Sequence, residues 1–450
     1  MIPVVTPDEM AAVDAAAPDP VEVLIERAGF AVAREAVRML GGGYGRRVVV
    51  LAGKGNNGAD GRSAAAWLRR RGANVAVVDA LDAPARITGC DLVIDAAYGT
   101  GFRGDYDAPD VGAAPVLAVD IPSGVDGCTG EVAGHVLRAD RTVTFAALKP
   151  GLVLGAGRDL AGEVVVADIG LAVTSQVGVV EASDVAAWLA PREPEDHKWR
   201  SAVLVVAGSS GMTGAARLAA RAAQRVGAGM VRVGSPGVVD DPRRPVEAVG
   251  LELPSAGWDA QVLELVDRFG SLVVGPGLGR DDATLAAVRS LLASADLPTV
   301  LDADGLLALR GALDPAARRR PVDTVLTPHD GEHEQLMGSR PGPDRITAAR
   351  RLAATSGSIG LLKGSTTVIA LPDGRVRIST TGAPRLATAG TGDVLSGIIG
   401  GLLARGMAPF EAAAAGAWLH GRAAHLGPAE GLIASDLPDL LPAAIAELDR

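Results

Sequence analysis

The chain has 450 residues, about three times the length typical of one domain, and therefore predicts two domains. Hydrophobic residues make up 48% and charged residues 21%, as in globular proteins and unlike disordered ones. A net charge of -10 with 3% aromatic residues argues against nucleic acid as a partner, because nucleic-acid readers need a basic surface or aromatic stacking. Without a long apolar run or a signal sequence, the chain is expected to be cytoplasmic with no membrane partner, and two cysteines predict no disulfide framework.

The first half predicts two helices followed by an alternating α/β unit. Residues 6–9, Thr-Pro-Asp-Glu, have the cap, proline and glutamate of a capping box, and a second helix is predicted from Val21. From Arg47 onward, short apolar runs bounded by Gly, Pro or Asp predict buried parallel strands. The runs are RVVVLAG, NVAVVDA, DLVIDAA, PVLAVDIP and RTVTFAAL. A doubly wound sheet of this kind binds its ligand at the carboxyl ends of the strands.

The apolar pattern stops at Pro191–Asp196, where two prolines and four charged residues predict a linker between domains 1–190 and 197–450. A second alternating unit follows this linker. Its predicted strands are AVLVVAG, MVRVG, SLVVGPG, TVLDAD, TVLTPH and IGLLKG, with helices at about 214–227, 281–293 and 344–356. The Ala-rich part from Gly392 onward is predicted to be mainly helical.

Polar residues follow the predicted strands of the first half. The loop Gly53–Gly61, GKGNNGADG, has glycines that let backbone amides turn towards an anion at the N-terminus of the next helix. Asp95 and Asp120 each close a strand, and Ser123 lies in the turn after Asp120. Asn57, Asp95 and Ser123 together offer hard oxygen ligands to an alkali cation. A lone Asp more often caps the next element, and this stays the alternative for each carboxylate.

Lysine is rare in a chain whose basic residues are otherwise arginine. Of 43 basic residues only four are lysine, namely Lys54, Lys149, Lys198 and Lys363. A compact ammonium charge can serve where a planar guanidinium cannot, so these lysines are candidates for point charges in a site. Chance placement stays the alternative for any one of them.

The motifs of the first half resemble one known family. Over residues 1 to about 175 they are, in order, GNNGADG, VIDAAYGTGFRGD, DIPSG and TFAALKPG, and they resemble the NAD(P)H-hydrate epimerase domain. The family loop usually reads GNNGGDG, so Ala59 replaces a glycine here. The resemblance implies a potassium site at Asn57, Asp95 and Ser123, and Asp120 is our candidate for the catalytic base. It implies substrate contacts at Asn56, Asn57, Gly58, Ala59, Asp60, Gly99, Thr100, Gly101, Phe102, Arg103, Gly104, Asp105 and Asp120.

The second half contains a glycine turn that places an acid at the start of a long apolar helix. In LATAGTGDVLSGIIGG, Gly390–Gly392 precede Asp393. Amides at a helix N-terminus stabilise a phosphoryl group in transfer, and an Asp there can accept a proton from a hydroxyl, although it can also act only as an N-cap. Further turns, GPGLG at 275–279 and KGSTT at 363–367, favour phosphate or nucleotide chemistry. Three more polar residues follow predicted strands of this half, namely Asp302, Asp304 and His329.

These motifs resemble the ribokinase-like superfamily, and within it the ADP-dependent NAD(P)H-hydrate dehydratase. The match runs from His197 to about Asp436 through TGAA, VVGPGLG, LDADGL, LTPHDGE, LLKGSTT and AGTGDVLSG. The resemblance implies that Asp393 is the catalytic base. It implies nucleotide contacts at Lys363, Gly364, Ser365, Thr366, Thr367 and Gly392, and hydrate contacts at Ala215, Gly277, His329 and Asp393.

Together the two resemblances imply an α/β protein of two domains. The first is a Rossmann-like doubly wound sheet, and the second is a ribokinase-like α/β/α domain. The expected activity is repair of hydrated NADH and NADPH (NADHX and NADPHX): epimerisation with K+, and dehydration of the S epimer with ADP and Mg2+. The alternative is a ribokinase-like small-molecule kinase with a non-catalytic nucleotide-binding N-terminal module. A homo-oligomer is also expected.

Overall fold

The computed structural model describes residues 1–318, 320 and 323–448. The chain divides into two compact units: Ile2–Ser175, here the N-terminal unit, and Gln176–Arg450 together with Met1, here the C-terminal unit. None of the helices in the described ranges is long and apolar enough to cross a membrane.

The N-terminal unit opens with the predicted capping box, in which the Thr6 hydroxyl accepts from the Glu9 amide and the Glu9 carboxylate accepts from the Thr6 amide. Its elements are β1 (Ile2–Pro3), α1 (Pro7–Ala15), α2 (Val21–Leu40), β2 (Arg47–Ala52), α3 (Asn56–Arg70), β3 (Asn74–Asp79), β4 (Leu92–Ala96), β5 (Tyr106–Asp107), β6 (Val116–Val119), β7 (Gly134–His135), β8 (Arg141–Phe145), α4 (Gly155–Leu160) and β9 (Glu163–Ala167).

The main sheet of this unit is parallel throughout, in the order β3-β2-β4-β6-β8-β9. All five predicted strands are confirmed, but the expected burial of β3 is wrong, because β3 is an edge strand with half-exposed and exposed residues. Apolar residues of α2 and α3 pack on one face of the sheet. The strand order reverses between β2 and β4, and in an open α/β sheet such a reversal opens a crevice for a ligand.

The C-terminal unit continues the alternation of strands and helices and ends in three helices, as predicted from the Ala-rich sequence. Its elements are β10 (Val177–Val179), α5 (Ala182–Trp188), β11 (Ala202–Val206), α6 (Thr213–Arg225), β12 (Met230–Pro236), β13 (Val249–Leu253), α7 (Trp258–Leu263), β14 (Ser271–Val274), α8 (Asp282–Ser294), β15 (Thr299–Leu301), β16 (Thr324–Leu326), α9 (Asp330–Met337), α10 (Arg345–Ser356), β17 (Ile359–Leu362), β18 (Thr367–Ala370), β19 (Val376–Ser379), α11 (Thr391–Ala404), α12 (Pro409–Leu426) and α13 (Leu437–Ala446).

The sheet of this unit runs β10-β19-β18-β17-β16-β15-β14-β11-β12-β13. The strands from β13 to β17 pair in parallel, whereas β18 pairs antiparallel with both its neighbours. Alternate residues of β11 belong to different cores, since Val203 packs with α6, α11, α12 and α13, and Leu204 packs with α7 and α8. The unit is therefore an α/β/α sandwich whose strand order reverses between β11 and β14.

The division between the units differs from the predicted boundary after residue 190. Strand β10 pairs in parallel with β19, and Val185 and Leu189 of the following segment lie in the core formed by α6, α11 and α12. Residues 176–190 therefore fold with the C-terminal unit, and the chain divides at 175/176. The charged and Pro-containing segment Pro191–Asp196 is an exposed connection inside that unit.

Because residues 176–190 bury their apolar side chains in the C-terminal unit, a fragment that ends at Ser175 should fold better than one that ends at Glu193. We expect residues 1–175 to unfold cooperatively on heating and to elute as a single species from a sizing column. Residues 1–193 should bind an apolar dye and aggregate, since Val185 and Leu189 lose their partners. A longer fragment that behaves as well as the shorter one would contradict the boundary at 175/176.

Candidate active sites

A cleft of about 840 Å³ lies at the reversal of strand order in the N-terminal unit. Helices α1 and α2 form one wall of it, and the segments after β2, β4 and β6 form the other. Most of the predicted substrate contacts line the cleft, namely Asn56, Asn57, Asp60, Gly99, Thr100, Gly101, Phe102, Arg103 and Asp120. Gly58, Ala59, Gly104 and Asp105 do not line it.

The predicted glycine loop is mostly helix, because α3 begins at Asn56, with Gly55 as its N-cap. Gly58 allows this helix to lie close to the end of β2, since a Cβ there would be 1.9 Å from the carbonyl oxygen of Gly53. Ala59 lies within the helix and donates its amide to the Gly55 carbonyl at 3.1 Å. An alanine is favoured in such a conformation, so the departure from the family loop does not disturb the backbone.

Of the three predicted potassium ligands, Asn57 lines the cleft, whereas Asp95 and Ser123 are hydrogen-bonded to each other and do not line it. Asp95 is completely buried, and its carboxylate accepts from the Ser123 hydroxyl at 2.6 Å and the Ser123 amide at 2.9 Å. Burial raises the pKa of Asp95, while these hydrogen bonds oppose the rise. The side chain of Asn57 packs against Gly99, and both its amide oxygen and its amide nitrogen are buried without a hydrogen-bond partner. A buried carboxylate and an unpartnered buried amide oxygen are donors that suit a hard cation.

Asp120 enters the cleft in a strained conformation, with a φ of 65° that non-glycine residues rarely adopt. Its Oδ1 accepts from Lys149 Nζ at 2.6 Å and from Thr144 Oγ1 at 2.9 Å. The ammonium of Lys149 is buried and also donates to the carbonyl of Phe145. The strain and the ion pair together fix the Asp120 carboxylate at the end of β6.

A second carboxyl group in the cleft, that of Asp60, has a strongly shifted pKa. Burial raises the pKa of Asp60 to about 8, and the carboxylates of Asp120 and Asp14 add to this rise, while Lys149 opposes it. Asp60 therefore carries a proton at neutral pH, whereas Asp120 is held beside an ammonium. Two carboxyl groups in such different environments, one buried and one paired with an ammonium, are typical of an acid and base pair in an active site.

In the C-terminal unit a pocket of about 670 Å³ lies between the turn after β17 and the start of α11. Of the predicted nucleotide contacts, Lys363, Gly364, Ser365, Thr367 and Gly392 line it, as does His329. Thr366 does not line the pocket, and it is 2% exposed. The opposite wall is largely apolar and suits a nucleobase; it is formed by Ala383, Pro384, Leu386, Ala387, Leu395 and Ala417.

Lys363 lines this pocket and also pairs with two acidic residues, Asp302 and Glu332. Its Nζ lies 2.9 Å from Asp302 Oδ1 and 3.5 Å from Glu332 Oε2, and a Cβ built on Gly392 would lie 3.5 Å from the same nitrogen. Burial opposes the charge, but Asp302 and Glu332 outweigh it and raise the pKa of Lys363. The lysine therefore remains an ammonium ion beside the first turn of α11.

Asp393 lies in that first turn, after the N-cap Gly390 with φ +91°. A side chain at Gly390 would meet Leu218 at 2.7 Å, so the turn requires glycine. Burial and then the neighbouring carboxylate of Asp302 raise the pKa of Asp393 to about 7, while Lys363 opposes the rise. A carboxylate with this proton affinity is suited to general-base catalysis near neutral pH.

The remaining predicted hydrate contacts lie in the first turn of α6 (Ala215), in the turn after β14 (Gly277) and at the N-terminus of α9 (His329). Ala215 and Gly277 meet at the reversal of strand order, where a Cβ on Gly277 would lie 3.1 Å from the Ala215 side chain. His329 is the N-cap of α9, since its Nδ1 accepts from the amides of Gly331 and Glu332. The helix cap thus fixes the orientation of the imidazole ring.

Sequence reasoning did not assign a role to four residues of these sites. Lys149 stood out only as one of four lysines and as a letter of TFAALKPG, and Glu332 and Ser396 only as letters of the motifs LTPHDGE and AGTGDVLSG. Arg345 carried no signal. In the structure Ser396 Oγ donates to Asp302, and Arg345 donates to the Lys363 carbonyl at 2.7 Å. Their roles depend on tertiary contacts that sequence spacing does not show.

Comparison with known families gives matches to both units. Residues 203–446 match the family model described as NAD(P)H-hydrate dehydratase, and residues 21–84 and 78–151 match that of the YjeF-related protein N-terminus. A relative from Moorella thermoacetica, named bifunctional NAD(P)H-hydrate repair enzyme Nnr, is 38% identical over 95% of this chain and 93% of its own length.

Solved structures resemble the C-terminal unit. An ADP/ATP-dependent NAD(P)H-hydrate dehydratase from Bacillus subtilis, co-crystallised with ATP and Mg2+, is 33% identical with a TM-score of 0.54, covering 60% of this chain and 98% of that one. A ribokinase-like superfamily protein from Enterococcus faecalis, at 23% identity and a TM-score of 0.56, covers 62% of this chain and 98% of its own and shares the fold. The predicted ribokinase-like fold is confirmed, and the chain belongs to the family of bifunctional NAD(P)H-hydrate repair enzymes.

Proposed function

We propose that this chain converts hydrated NADH and NADPH back to NADH and NADPH at two separate active sites. The N-terminal unit interconverts the R and S epimers of the hydrate, and the C-terminal unit dehydrates the S epimer with ADP. The observation that carries the proposal is that each unit has its own acids: Asp60 and Asp120 line the cleft of the N-terminal unit, and Asp393 lies in the first turn of α11, close to the charges of Asp302 and Lys363. A non-catalytic module would not need a strained Asp120 paired with a buried Lys149.

In the C-terminal unit, Asp393 accepts the proton of the ring hydroxyl while the hydroxyl oxygen attacks the terminal phosphorus of ADP, and AMP leaves. The amides at the start of α11 and the ammonium of Lys363 stabilise the charge on the transferred phosphoryl group. Elimination then breaks the carbon–oxygen bond, and phosphate leaves as the neighbouring ring carbon loses a proton. These steps give the reduced coenzyme, AMP and phosphate.

In the N-terminal unit, the protonated Asp60 donates to the ring hydroxyl, which leaves as water, and the ring nitrogen stabilises the positive charge. Water then adds to the other face of the same carbon and gives a proton to Asp120. One proton is donated and one is accepted, and the proton passes from Asp120 back to Asp60 through water before the next turnover. The ion pair of Asp120 with Lys149 supports this assignment, because it holds the accepting carboxylate in the cleft.

Potassium fits the three residues of the N-terminal unit that the resemblance names as its ligands. The buried carboxylate of Asp95, the hydroxyl of Ser123 and the unpartnered amide oxygen of Asn57 would hold it. The cation would neutralise Asp95 and fix the loop that contains Gly99, against which Asn57 packs. Magnesium is different, since no group of three His, Cys, Asp or Glu side chains that could hold a metal occurs in the described part of the chain. It would arrive bound to the phosphates of the nucleotide, as is usual for this ion.

The separation of the two activities gives the main test. Asp393→Asn keeps the shape of the side chain but removes its basicity, and loss of a general base typically lowers the rate by ~10²–10⁴-fold. We expect dehydration of the S epimer to fall by this amount while epimerisation continues. The absorbance of the reduced coenzyme, followed with and without ADP, measures the first activity, and separation of the epimers by chromatography measures the second.

Asp120→Asn is the matched control for this test, because it should abolish epimerisation and leave ADP-dependent dehydration of the pure S epimer unchanged. Near-normal dehydration by Asp393→Asn would exclude Asp393 as the base. A stable phosphorylated product from the wild-type protein would favour the small-molecule kinase instead.

The protonation of Asp60 predicts a pH dependence for epimerisation. Since the raised pKa of about 8 keeps the proton on Asp60 at neutral pH, the rate should fall as the pH rises through about 8. Asp60→Asn cannot donate a proton, so it should be slow at every pH and lose this alkaline limb. A wild-type rate that stays constant from pH 7 to well above 8 would rule out Asp60 as the proton donor.

Potassium dependence is tested by initial epimerisation rates in potassium, lithium and tetramethylammonium chloride at equal ionic strength. We expect activity in potassium and little in the other two salts, because oxygen ligands spaced for a large cation cannot all contract onto lithium. Asn57→Ala should remove the preference for potassium. Equal rates of the wild-type protein in all three salts would mean that no alkali cation takes part.

A further inference from the structure

A buried carboxylate, Asp302, connects the nucleotide pocket with the helix that carries Asp393. Asp302 follows β15 and is 1% exposed. Its Oδ1 lies 2.9 Å from Lys363 Nζ, and its Oδ2 accepts from Ser396 Oγ at 2.6 Å. Both oxygens are thus occupied by groups from two different motifs, so the carboxylate is directed towards neither bulk solvent nor a substrate.

Ser396 links this carboxylate to the first turn of α11. Its hydroxyl oxygen also lies 3.1 Å from the carbonyl oxygen of Gly392, the residue before Asp393. A Cβ built on Gly392 would lie 3.7 Å from Asp302 Oδ2 and 3.5 Å from Lys363 Nζ. The start of α11, the ammonium and the carboxylate are therefore packed against one another.

The backbone of Asp302 is fixed by the turn GPGLG. Its amide donates to the carbonyl of Val274 at 3.1 Å, and a Cβ on Gly275 would lie 1.9 Å from its carbonyl oxygen. Gly275 has a φ of +123°, so this close contact depends on glycine. Contacts with Val274 and Gly275 thus fix the position of the Asp302 backbone, independently of any nucleotide.

Asp302 remains ionised in this environment. Burial alone would favour the neutral acid, but Lys363, Ser396 and Thr327 together lower the pKa of Asp302. Its charge is therefore present when Asp393 titrates.

The groups that act on Asp393 are Asp302, Lys363, Asp304 and Glu332. Of these neighbours Asp302 has the largest effect, and it raises the pKa of Asp393, whereas Lys363 lowers it.

We propose that Asp302 is a positioning residue of the dehydratase site that holds Lys363 and the first turn of α11 together and thereby positions Asp393. This inference rests on the proposed function. Asp302 itself touches neither the nucleotide nor the hydrate. It acts through the ammonium that meets the phosphates and through the carboxylate that takes the hydroxyl proton.

The test is the pH profile of ADP-dependent dehydration by the full-length protein at saturating ADP, Mg2+ and S epimer. In the wild type the rate should rise with pH through about 7 as Asp393 loses its proton. Asp302→Asn keeps the shape and removes the charge, so this limb should move down by about one pH unit. Without the Asp302 charge, the positive charge of Lys363 is no longer compensated, and it also lowers the pKa of Asp393. Both effects therefore move the limb to lower pH.

Two matched variants separate charge from structure. Ser396→Ala removes the hydrogen bond and keeps the charge, so the rate should fall while the limb stays in place. Asp304→Asn removes one charge from the same turn, but Asp304 pairs with Arg280 and the Gly279 amide, so its limb should move less than that of Asp302→Asn. A uniform loss of rate in Asp302→Asn with an unmoved limb would overturn the proposal.

If Asp302→Asn does not fold, as shown by its thermal unfolding, Ser396→Ala decides, because it breaks the link between Asp302 and the first turn of α11. An undiminished rate of dehydration in that variant would overturn the proposal. If the wild-type protein restores no reduced coenzyme with ADP, the proposed function fails. If it does so and Asp302→Asn leaves the limb unchanged, only the role of Asp302 fails.

Discussion

Burial of a carboxylate at the carboxyl end of a parallel strand is the constraint on which both units depend. Asp95 in β4 and Asp302 after β15 have almost no contact with solvent. A buried carboxylate stays ionised only where a cation or several donors face it. Asp302 has the ammonium of Lys363, whereas in the described part of the chain Asp95 has hydrogen-bond donors and no salt bridge. The two carboxylates thus differ in what faces them: an ammonium of the chain at Asp302, and hydrogen-bond donors of Ser123 at Asp95, where we propose that potassium supplies the charge.

The position of these aspartates at strand ends explains which site residues the sequence could predict. Asp95, Asp120 and Asp302 were identifiable because each directly follows or ends an apolar run, and the ends of neighbouring parallel strands meet at one edge of a sheet. The scarcity of lysine drew attention to Lys149 and Lys363, and in the structure each of them pairs with an aspartate. It could not show that Lys149 pairs with Asp120, 29 residues earlier in the chain. Contacts of this length depend on strand order, and strand order is not visible in the spacing of residues.

Other parts of the fold were predicted less well, for separate physical reasons. The boundary was placed after residue 190 because Pro191–Asp196 is polar, but β10 is a three-residue strand whose pairing with β19 is invisible locally. The glycines of GKGNNGADG suggested a loop, yet Gly58 serves close packing of α3 against β2. Strand β9 was missed because it is an edge strand with mostly half-buried residues. In each case tertiary packing outweighed the local preference.

In both units, burial and a neighbouring carboxylate raise the pKa of an acid, but the roles we propose for the two acids require opposite protonation states. As the proposed base, Asp393 must lose its proton, which favours a pH above about 7, and as the proposed acid, Asp60 must keep its proton, which favours a pH below about 8. The two requirements overlap only in the interval between these values. Since the epimerase supplies the S epimer that the dehydratase consumes, a chain that joins both activities benefits when this interval lies near neutral pH. Burial of Asp60 and Asp393 contributes most to the two pKa values, and the neighbouring carboxylates of Asp120 and Asp302, each paired with a lysine, raise them further.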